Sequence, residues 1–420
     1  MAASKNGKTA LVLAGGGLTG AVYEIGALRA IDDLLVDRTV NDFDIFVGTS
    51  AGALVGSFLA NGVSPEEMLT VLAGKHQDIE PIERQHIFGL DWRELANWGF
   101  RLPGRLAKAW SYYLRNLDDM TLFDLLWTLS ETVPPGLYDG LNLEAYIRET
   151  LAELGHNNHF DSLARELYII ATDLDTGDRA IFGPQIRSDV PISMAVAASS
   201  ALPVLYKPVR IGHDEYVDGG LRGTASLDLA IEQGATLVVC INPLVPFDNH
   251  SRNQIPMVSS NGVHLSDKGI QSITNQTIRI LSYAGLHYHI KQLRRVHPAV
   301  DIILIEPQQE DYQMFFFNIM RYSARMLIAQ HGFESVTIDL AKDYPIYKQI
   351  LARHNIPISR RLVISELNEI RQSGNDPDVI RRVLEAKSAG CGQKRQQTPL
   401  CKLNRALAEL EMALENMEGQ

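Results

Sequence analysis

Cysteine is scarce in this chain. Three residues in 420, Cys240, Cys391 and Cys401, exclude a disulfide framework and point to a reducing compartment, the cytoplasm. Cys391 and Cys401 lack histidines at zinc spacing and read as free thiols. An excess of positive charge is also missing. Lys and Arg number 39 against 50 Asp and Glu, a formal net charge of -11, which argues against nucleic acid as a partner. Long apolar runs are few. The charge-free stretch from Ile45 to Pro65 imitates a membrane helix with small residues Gly48, Gly52 and Gly56 on one face, but Ser50, Asn61, Gly62 and Pro65 interrupt it. The apolar run Thr9 to Ala14 behind Lys5 and Lys8 superficially resembles a secretion signal, but it is short and passes into glycines and Glu24, so it reads better as a first strand.

What is present is an ordinary globular composition, 45% apolar and 21% charged, long enough for one large core with additions or for two domains. The informative stretch is Asp44 to Ser57. Ile45 to Val47 reads as a buried strand, Gly48-Thr49-Ser50-Ala51-Gly52 as a turn, and Ala51 to Asn61 as a helix. A G-x-S-x-G turn between strand and helix lets the backbone bend sharply and holds the serine hydroxyl exposed at a helix start, so Ser50 is a candidate nucleophile. Alone, the motif also fits a buried glycine-serine packing site.

Upstream, the strand Thr9 to Ala14 meets Gly15-Gly16-Gly17-Leu18-Thr19-Gly20 and a helical pattern from Ala21 to Leu35. Free backbone N–H groups at such a helix start suit negative charge. The spacing also fits a dinucleotide-binding turn, but the second strand ends in Gly48 to Gly52 instead of the acid that would hold a ribose. An oxyanion-binding loop is the better reading.

Ser64-Pro65-Glu66-Glu67 forms a helix start, and the helical, irregular pattern from 64 to about 151 reads as an insertion or cap. Within Arg93 to Arg115, five basic residues face one acid, Glu94, with aromatics interleaved; this suits contact with anionic lipid head groups, or equally a solvated cap. Glu166 to Asp173 reads as a strand, with a turn at Asp175 to Asp178 and a return strand Ala180 to Phe182; Asp173 belongs to the turn and is not a site candidate. A helix from Ile192 to Ser200 breaks in Ala198-Ser199-Ser200-Ala201-Leu202-Pro203. The strand ending in Asp218-Gly219-Gly220 presents an acid at its tip, where a general base belongs. Helix Leu227 to Gln233 and strands Thr236 to Asn242 and Asp301 to Glu306 follow, so strands alternate with helices as in a mainly parallel sheet covered on both faces. Residues 246 to 269 read as a loop. Met314 to Phe317 reads as core or as an acyl-chain wall. Leu400, Leu403, Leu407, Leu410, Leu414 and Met417 form a short a/d seam.

The glycine loop Gly15-Gly16-Gly17, the elbow Gly48 to Gly52, the block Ala198 to Pro203 and Asp218-Gly219-Gly220, in this order and spacing across residues 7 to 245, resemble the patatin-like phospholipases. The resemblance implies an α/β fold, a three-layer α/β/α sandwich with a mainly parallel central sheet. It also implies a histidine-free Ser-Asp dyad of Ser50 and Asp218, an oxyanion hole of Gly15, Gly16 and Gly17, and motif support from Gly48, Gly52, Gly219 and Gly220. The expected substrates are phospholipids, lysophospholipids or other glycerolipids, cleaved as carboxylic esters without cofactor or metal. Two positions depart from the family pattern: Thr19 replaces the usual Arg or Lys, and Thr224 the usual Asn. The expected layout is a hydrolase domain over 7–345 and a helical C-terminal extension over 346–420, in a cytoplasmic protein with peripheral membrane contact through Arg93 to Arg115 and no preference as to oligomeric state. Two alternatives stay open: a catalytically silent lipid-binding scaffold of the same fold, and a conventional Ser-His-Asp hydrolase drawing on His264 or His287.

Overall fold

In a computed structural model the described residues are 7–75, 92–116, 135–250, 261–310 and 322–386, together with 86, 89, 121, 255–256 and 315. The first half runs β1 (Lys8–Leu13), α1 (Gly17–Leu34), β2 (Ile45–Thr49), α2 (Ala51–Ala60), α3 (Pro65–Leu72), α4 (Trp92–Arg115), β3 (Gly136–Tyr138), α5 (Leu141–Glu153), β4 (Glu166–Asp173) and β5 (Arg179–Phe182). There follow α6 (Ile192–Ser199), β6 (Val204–Tyr206), β7 (Val209–Ile211), β8 (Asp214–Asp218), α7 (Leu227–Glu232), β9 (Ala235–Ile241), α8 (Ile270–Val296) and β10 (Asp301–Ile305). The chain then turns helical: α9 (Tyr322–Lys342), α10 (Tyr344–Ala352), α11 (Arg361–Gln372) and α12 (Pro377–Glu385).

The central sheet is ordered β10-β9-β1-β2-β4-β8-β7, with β5 also paired to β4. Its first five strands are mutually parallel, and β5, β7 and β8 join antiparallel. Side chains alternate between two covered faces, as a sheet buried on both sides requires. Leu11, Leu13 and Phe46 enter one apolar cluster with α1, α2 and α9, while Ala10, Val12, Ile45 and Val47 enter a second with α7 and α8. The result is the expected helix-sheet-helix sandwich. Ile45 to Pro65 is thus a strand, a turn and a helix, and no helix among the described residues is long and apolar enough to cross a membrane.

Three details differ from the sequence expectation. α1 begins at Gly17, not Ala21, because the glycine loop itself closes the first helical turn, with Gly20 N–H donating to the Gly16 carbonyl at 3.1 Å. A small parallel pair, β3 with β6, ties the cap to the loop before β8, a pairing too short to leave a periodic pattern. The C-terminal helices α11 and α12 add Val363, Leu367, Ile370, Ile380, Val383 and Leu384 to the same cluster as α1. The seam Leu400 to Met417 lies outside the described residues, as does most of Met314 to Phe317.

At the α1 surface, Arg29 is fully buried. It pairs with Asp33 one turn on and with Glu366 of α11 at 3.5 Å, and it donates to the Val383 carbonyl of α12 at 3.3 Å. Arg29→Ala takes the counter-charge from two buried or half-buried carboxylates and is expected to cost about 3–5 kcal/mol in urea unfolding. A loss below about 1 kcal/mol would mean that α11 and α12 are held by apolar contact alone.

Candidate active site

Ser50 sits at the tip of β2, where the chain reverses into α2, with φ 53° and ψ -117°. This conformation is rare for a residue with a side chain and costs about 1–3 kcal/mol unless its surroundings enforce it. Here they do. Ser50 N–H donates to Ser199 Oγ at 2.8 Å, and Ser199 Oγ–H donates in turn to the Ile170 carbonyl of β4 at 2.5 Å. The Ser50 carbonyl accepts from the N–H groups of Ala53 and Leu54 and from Ser200 Oγ. The glycines of the elbow are needed for close approach: a Cβ on Gly52 would lie 2.2 Å from the Leu13 carbonyl oxygen, and one on Gly48 2.4 Å from that of Gly52.

Asp218 arrives at the tip of β8, which pairs antiparallel with β4 so that Ala171 and Asp218 are partners. Its N–H donates to the Ala201 carbonyl at 3.0 Å and its carbonyl accepts from Thr172 Oγ at 3.1 Å, which fix the backbone. The carboxylate accepts from Ser50 Oγ–H at 2.6 Å on Oδ2 and from Gly220 N–H at 2.7 Å on Oδ1. Both side chains are nearly closed to solvent, Ser50 at 7% and Asp218 at 5% exposure. Burial pushes the Asp218 carboxyl up to about 6, against the two hydrogen bonds that favour its ionised form. An aspartate so raised is a stronger base than a solvated one, yet still ionised at neutral pH.

The glycine loop lies beside this pair, since a Cβ on Gly15 would stand 3.5 Å from Ser50 Cβ. Gly16 is the N-cap of α1, and Gly17, at φ 60°, has open space where a side chain would be. As first residues of a helix, Gly17, Leu18 and Thr19 have no intrahelical acceptor for their N–H groups. Gly15 differs, because its N–H donates to the Thr224 carbonyl at 3.0 Å. That bond joins the glycine loop to the segment after Asp218-Gly219-Gly220. The side chain at position 224, one of the two departures from the family pattern, is buried, and its hydroxyl has no hydrogen-bond partner among the described residues.

The four sequence blocks therefore meet at one place. Sequence reading did not foresee the work of Ser199 and Ser200, where paired hydroxyls in an otherwise apolar helix end read only as a helix break. Of the two histidines considered, His287 of α8 is hydrogen-bonded to Glu306, just past β10, at 2.9 Å, and His264 precedes the turn before α8 with its backbone N–H donating to the Asp267 carboxylate. Asp173 accepts from the N–H groups of Asp175 and Thr176, the turn role expected of it.

Residues 11–231, more than half of the chain, match the family model of the patatin-like phospholipases. "Probable lipid hydrolase 463L" of Invertebrate iridescent virus 6 is 22% identical over 222 residues, covering 53% of this chain and 63% of that protein. "Uncharacterized protein YqhO" of Bacillus subtilis is 28% identical over 222 residues, covering 50% of this chain and 62% of the other. "Intracellular phospholipase A2" of Caenorhabditis elegans is 27% identical over 237 residues, covering 54% of this chain and 18% of that one. The chain spans less than two thirds of the length of each of these relatives.

The raised Asp218 carboxyl has a consequence for stability. Between the ordinary aspartate value near 4 and about 6, the folded protein keeps a proton that the unfolded chain has lost. Stability contributed by this group is therefore full below pH about 4 and is lost as pH rises through about 6, by about 3 kcal/mol in all. Asp218→Asn escapes that loss. Its thermal midpoint should exceed that of the wild type at pH 8, with the gap narrowing steadily below pH 6 and closing only below pH about 4; a gap independent of pH would contradict the burial argument.

Proposed function

This chain belongs to the patatin-like phospholipase family, and on that premise we propose that it is a serine esterase cleaving carboxylic esters of phospholipids or lysophospholipids through Ser50 and Asp218. The observation that carries the proposal is the 2.6 Å hydrogen bond between the two, residues 168 apart in sequence. The lipid hydrolase and phospholipase names among the relatives agree with lipid hydrolysis in general.

The chemistry proceeds in two steps. Asp218 takes the Ser50 proton as Oγ attacks the ester carbonyl, and the carbonyl oxygen, now negative, is met by N–H groups at the start of α1. Gly16 and Gly17 are the proposed donors. Gly15, with its N–H already committed to Thr224, acts by positioning the loop. Collapse of the tetrahedral adduct breaks the ester C–O bond, and Asp218 returns its proton to the departing alcohol, leaving the acyl group on Ser50. Water then gives a proton to Asp218 and attacks the acyl carbon; the fatty acid departs and the proton returns to Ser50 Oγ. No histidine is required, since desolvation has raised the basicity of the carboxylate.

Peripheral contact with a membrane is proposed through α4. Phe100, Leu106, Trp110, Tyr112 and Leu114 are exposed on this helix, next to exposed Lys108 and Arg115. Aromatic and aliphatic side chains facing water beside basic ones suit an anionic lipid surface. The catalytic unit is proposed to span residues 7–345, with 346–420 as a helical extension whose α11 and α12 brace α1.

Fatty-acid release from phosphatidylcholine and lysophosphatidylcholine should fall at least about a thousandfold in Ser50→Ala and in Asp218→Asn. The wild-type kcat/KM should decline as pH falls through about 6, because the base becomes protonated. Wild-type rates in either variant would remove the dyad; no hydrolysis by the wild type of any lipid ester would favour a silent lipid-binding scaffold. Sedimentation with vesicles should be stronger for anionic than for neutral lipid and weaken in Trp110→Ala with Lys108→Ala. Binding indifferent to lipid charge and to these changes would exclude the α4 contact.

A further inference from the structure

An ester held at Ser50 must send its acyl chain somewhere. α1 and α2 leave the site side by side, the first starting with the glycine loop and the second with the residue after Ser50. Between this pair and the covering helices α3 and α5 lies a cavity of about 50 Å³. Its walls include Leu18 and Ala21 of α1, Leu54 and Phe58 of α2, and Met68 and Leu72 of α3. Leu18 directly follows Gly17, and Leu54 lies one helical turn past Ser50, its N–H donating to the Ser50 carbonyl at 3.3 Å. Leu54 thus carries the wall of the cavity to about one helical pitch, about 5–6 Å, along α2 from the Ser50 backbone.

Its lining is aliphatic and aromatic except for Thr150 and the hydroxyl of Tyr146. Water needs two to four polar partners to occupy such a space, so an apolar void of this kind stays dry and accepts an apolar guest. At about 10–15 Å³ of this kind of volume per water-sized group, the cavity holds about three to five such groups, a short stretch of hydrocarbon. A larger cavity, about 560 Å³, is unlike it. That space lies against Gly219 to Ser226 and α8, and its walls mix apolar side chains with Arg179, Asp228 and His289, charged or polar groups that a hydrocarbon chain would have to strip of water. The aromatic run near Phe315, the sequence candidate for an acyl wall, is represented among the described residues by Phe315 alone, which packs on Phe247 and under the Arg279 guanidinium of α8.

We propose that the cleft between α1–α2 and α3–α5 receives the acyl chain of the scissile ester, with Leu18 and Leu54 flanking its entrance and Phe58 and Met68 limiting chain length. The proposal rests on the serine esterase reading above and names the part of the substrate that this side of the site selects. Phe58 and Met68 form the wall that a longer chain must part. Phe58 is partly buried and Met68 is flexible, so the wall limits length without closing the cleft. The leaving alcohol, with its polar head group, is then directed away from α1 and α2.

The test compares p-nitrophenyl esters from acetyl to palmitoyl in the wild type, Phe58→Ala and Leu54→Phe, with circular dichroism to confirm folding. One methylene in an apolar pocket is worth about tenfold or more in kcat/KM. Phe58→Ala should therefore move the optimum to longer chains, raising the dodecanoyl-to-butyryl ratio at least about tenfold, and Leu54→Phe should lower it by a similar factor. A binding arm is independent of turnover. Calorimetry of saturated fatty acids with Ser50→Ala protein should show affinity that rises with Phe58→Ala for dodecanoate and falls with Leu54→Phe. Chain-length profiles and fatty-acid affinities that superpose on those of the parent proteins overturn the cleft while leaving the Ser50-dependent esterase standing. Absence of any Ser50-dependent hydrolysis overturns the esterase reading, and the calorimetric series then decides the cleft by itself.

Discussion

Everything at this site depends on one desolvated hydrogen bond, Ser50 Oγ–H to Asp218 Oδ2. A serine beside a solvated aspartate would gain little, because such a carboxylate is too weak a base to hold a hydroxyl proton. Burial changes the balance by raising the carboxyl to about 6 while Gly220 N–H keeps its charged form tolerable. The fold then has to bring two strand tips together and exclude water from both. It does so through β4, which pairs with β2 on one side and with β8 on the other and so sets the distance between Ser50 and Asp218, the proposed nucleophile and base.

The second constraint is backbone strain at Ser50. A positive φ at a serine persists only when bonds from several directions hold it. Ser199 supplies one from the end of α6, anchored through its own hydroxyl to β4, and the tight seat of Gly48 and Gly52 against β1 and α2 supplies the rest. The Gly15 to Thr224 bond adds a link of a different kind. It ties the glycine loop to the segment that follows Asp218, so one hydrogen bond links the proposed oxyanion donors to the proposed base. Position 224 contributes to that link through its main chain, which any residue provides; this explains how threonine can stand there without breaking the loop's anchorage.

Much of this was legible in the sequence because its signals are local. A glycine elbow, a glycine loop before a helix and an acid before two glycines each announce a backbone geometry within a few residues, and their order along the chain carried the family resemblance. Sandwich layers were readable for the same reason, from continuous apolar strands alternating with helices. Contacts that are non-local in sequence were not readable. Nothing near Ser199 signals that its hydroxyl will meet Ser50, 149 residues earlier. The commitment of Gly15 N–H to Thr224 was equally hidden, since three successive glycines look alike until the fold assigns each its neighbour. The β3–β6 pair and the helix bracing by α11 and α12 likewise exist only through tertiary packing.

The central claim is that Asp218 activates Ser50 without a histidine. The most direct measurement is the rate at which a fluorophosphonate labels the protein between pH 4.5 and 8, with the labelled residue located by peptide mass. Labelling confined to Ser50, with a rate that falls as pH drops through about 6 and that collapses in Asp218→Asn, is the predicted result. Labelling at another residue, or a rate at Ser50 that ignores both pH and Asp218→Asn, would contradict it.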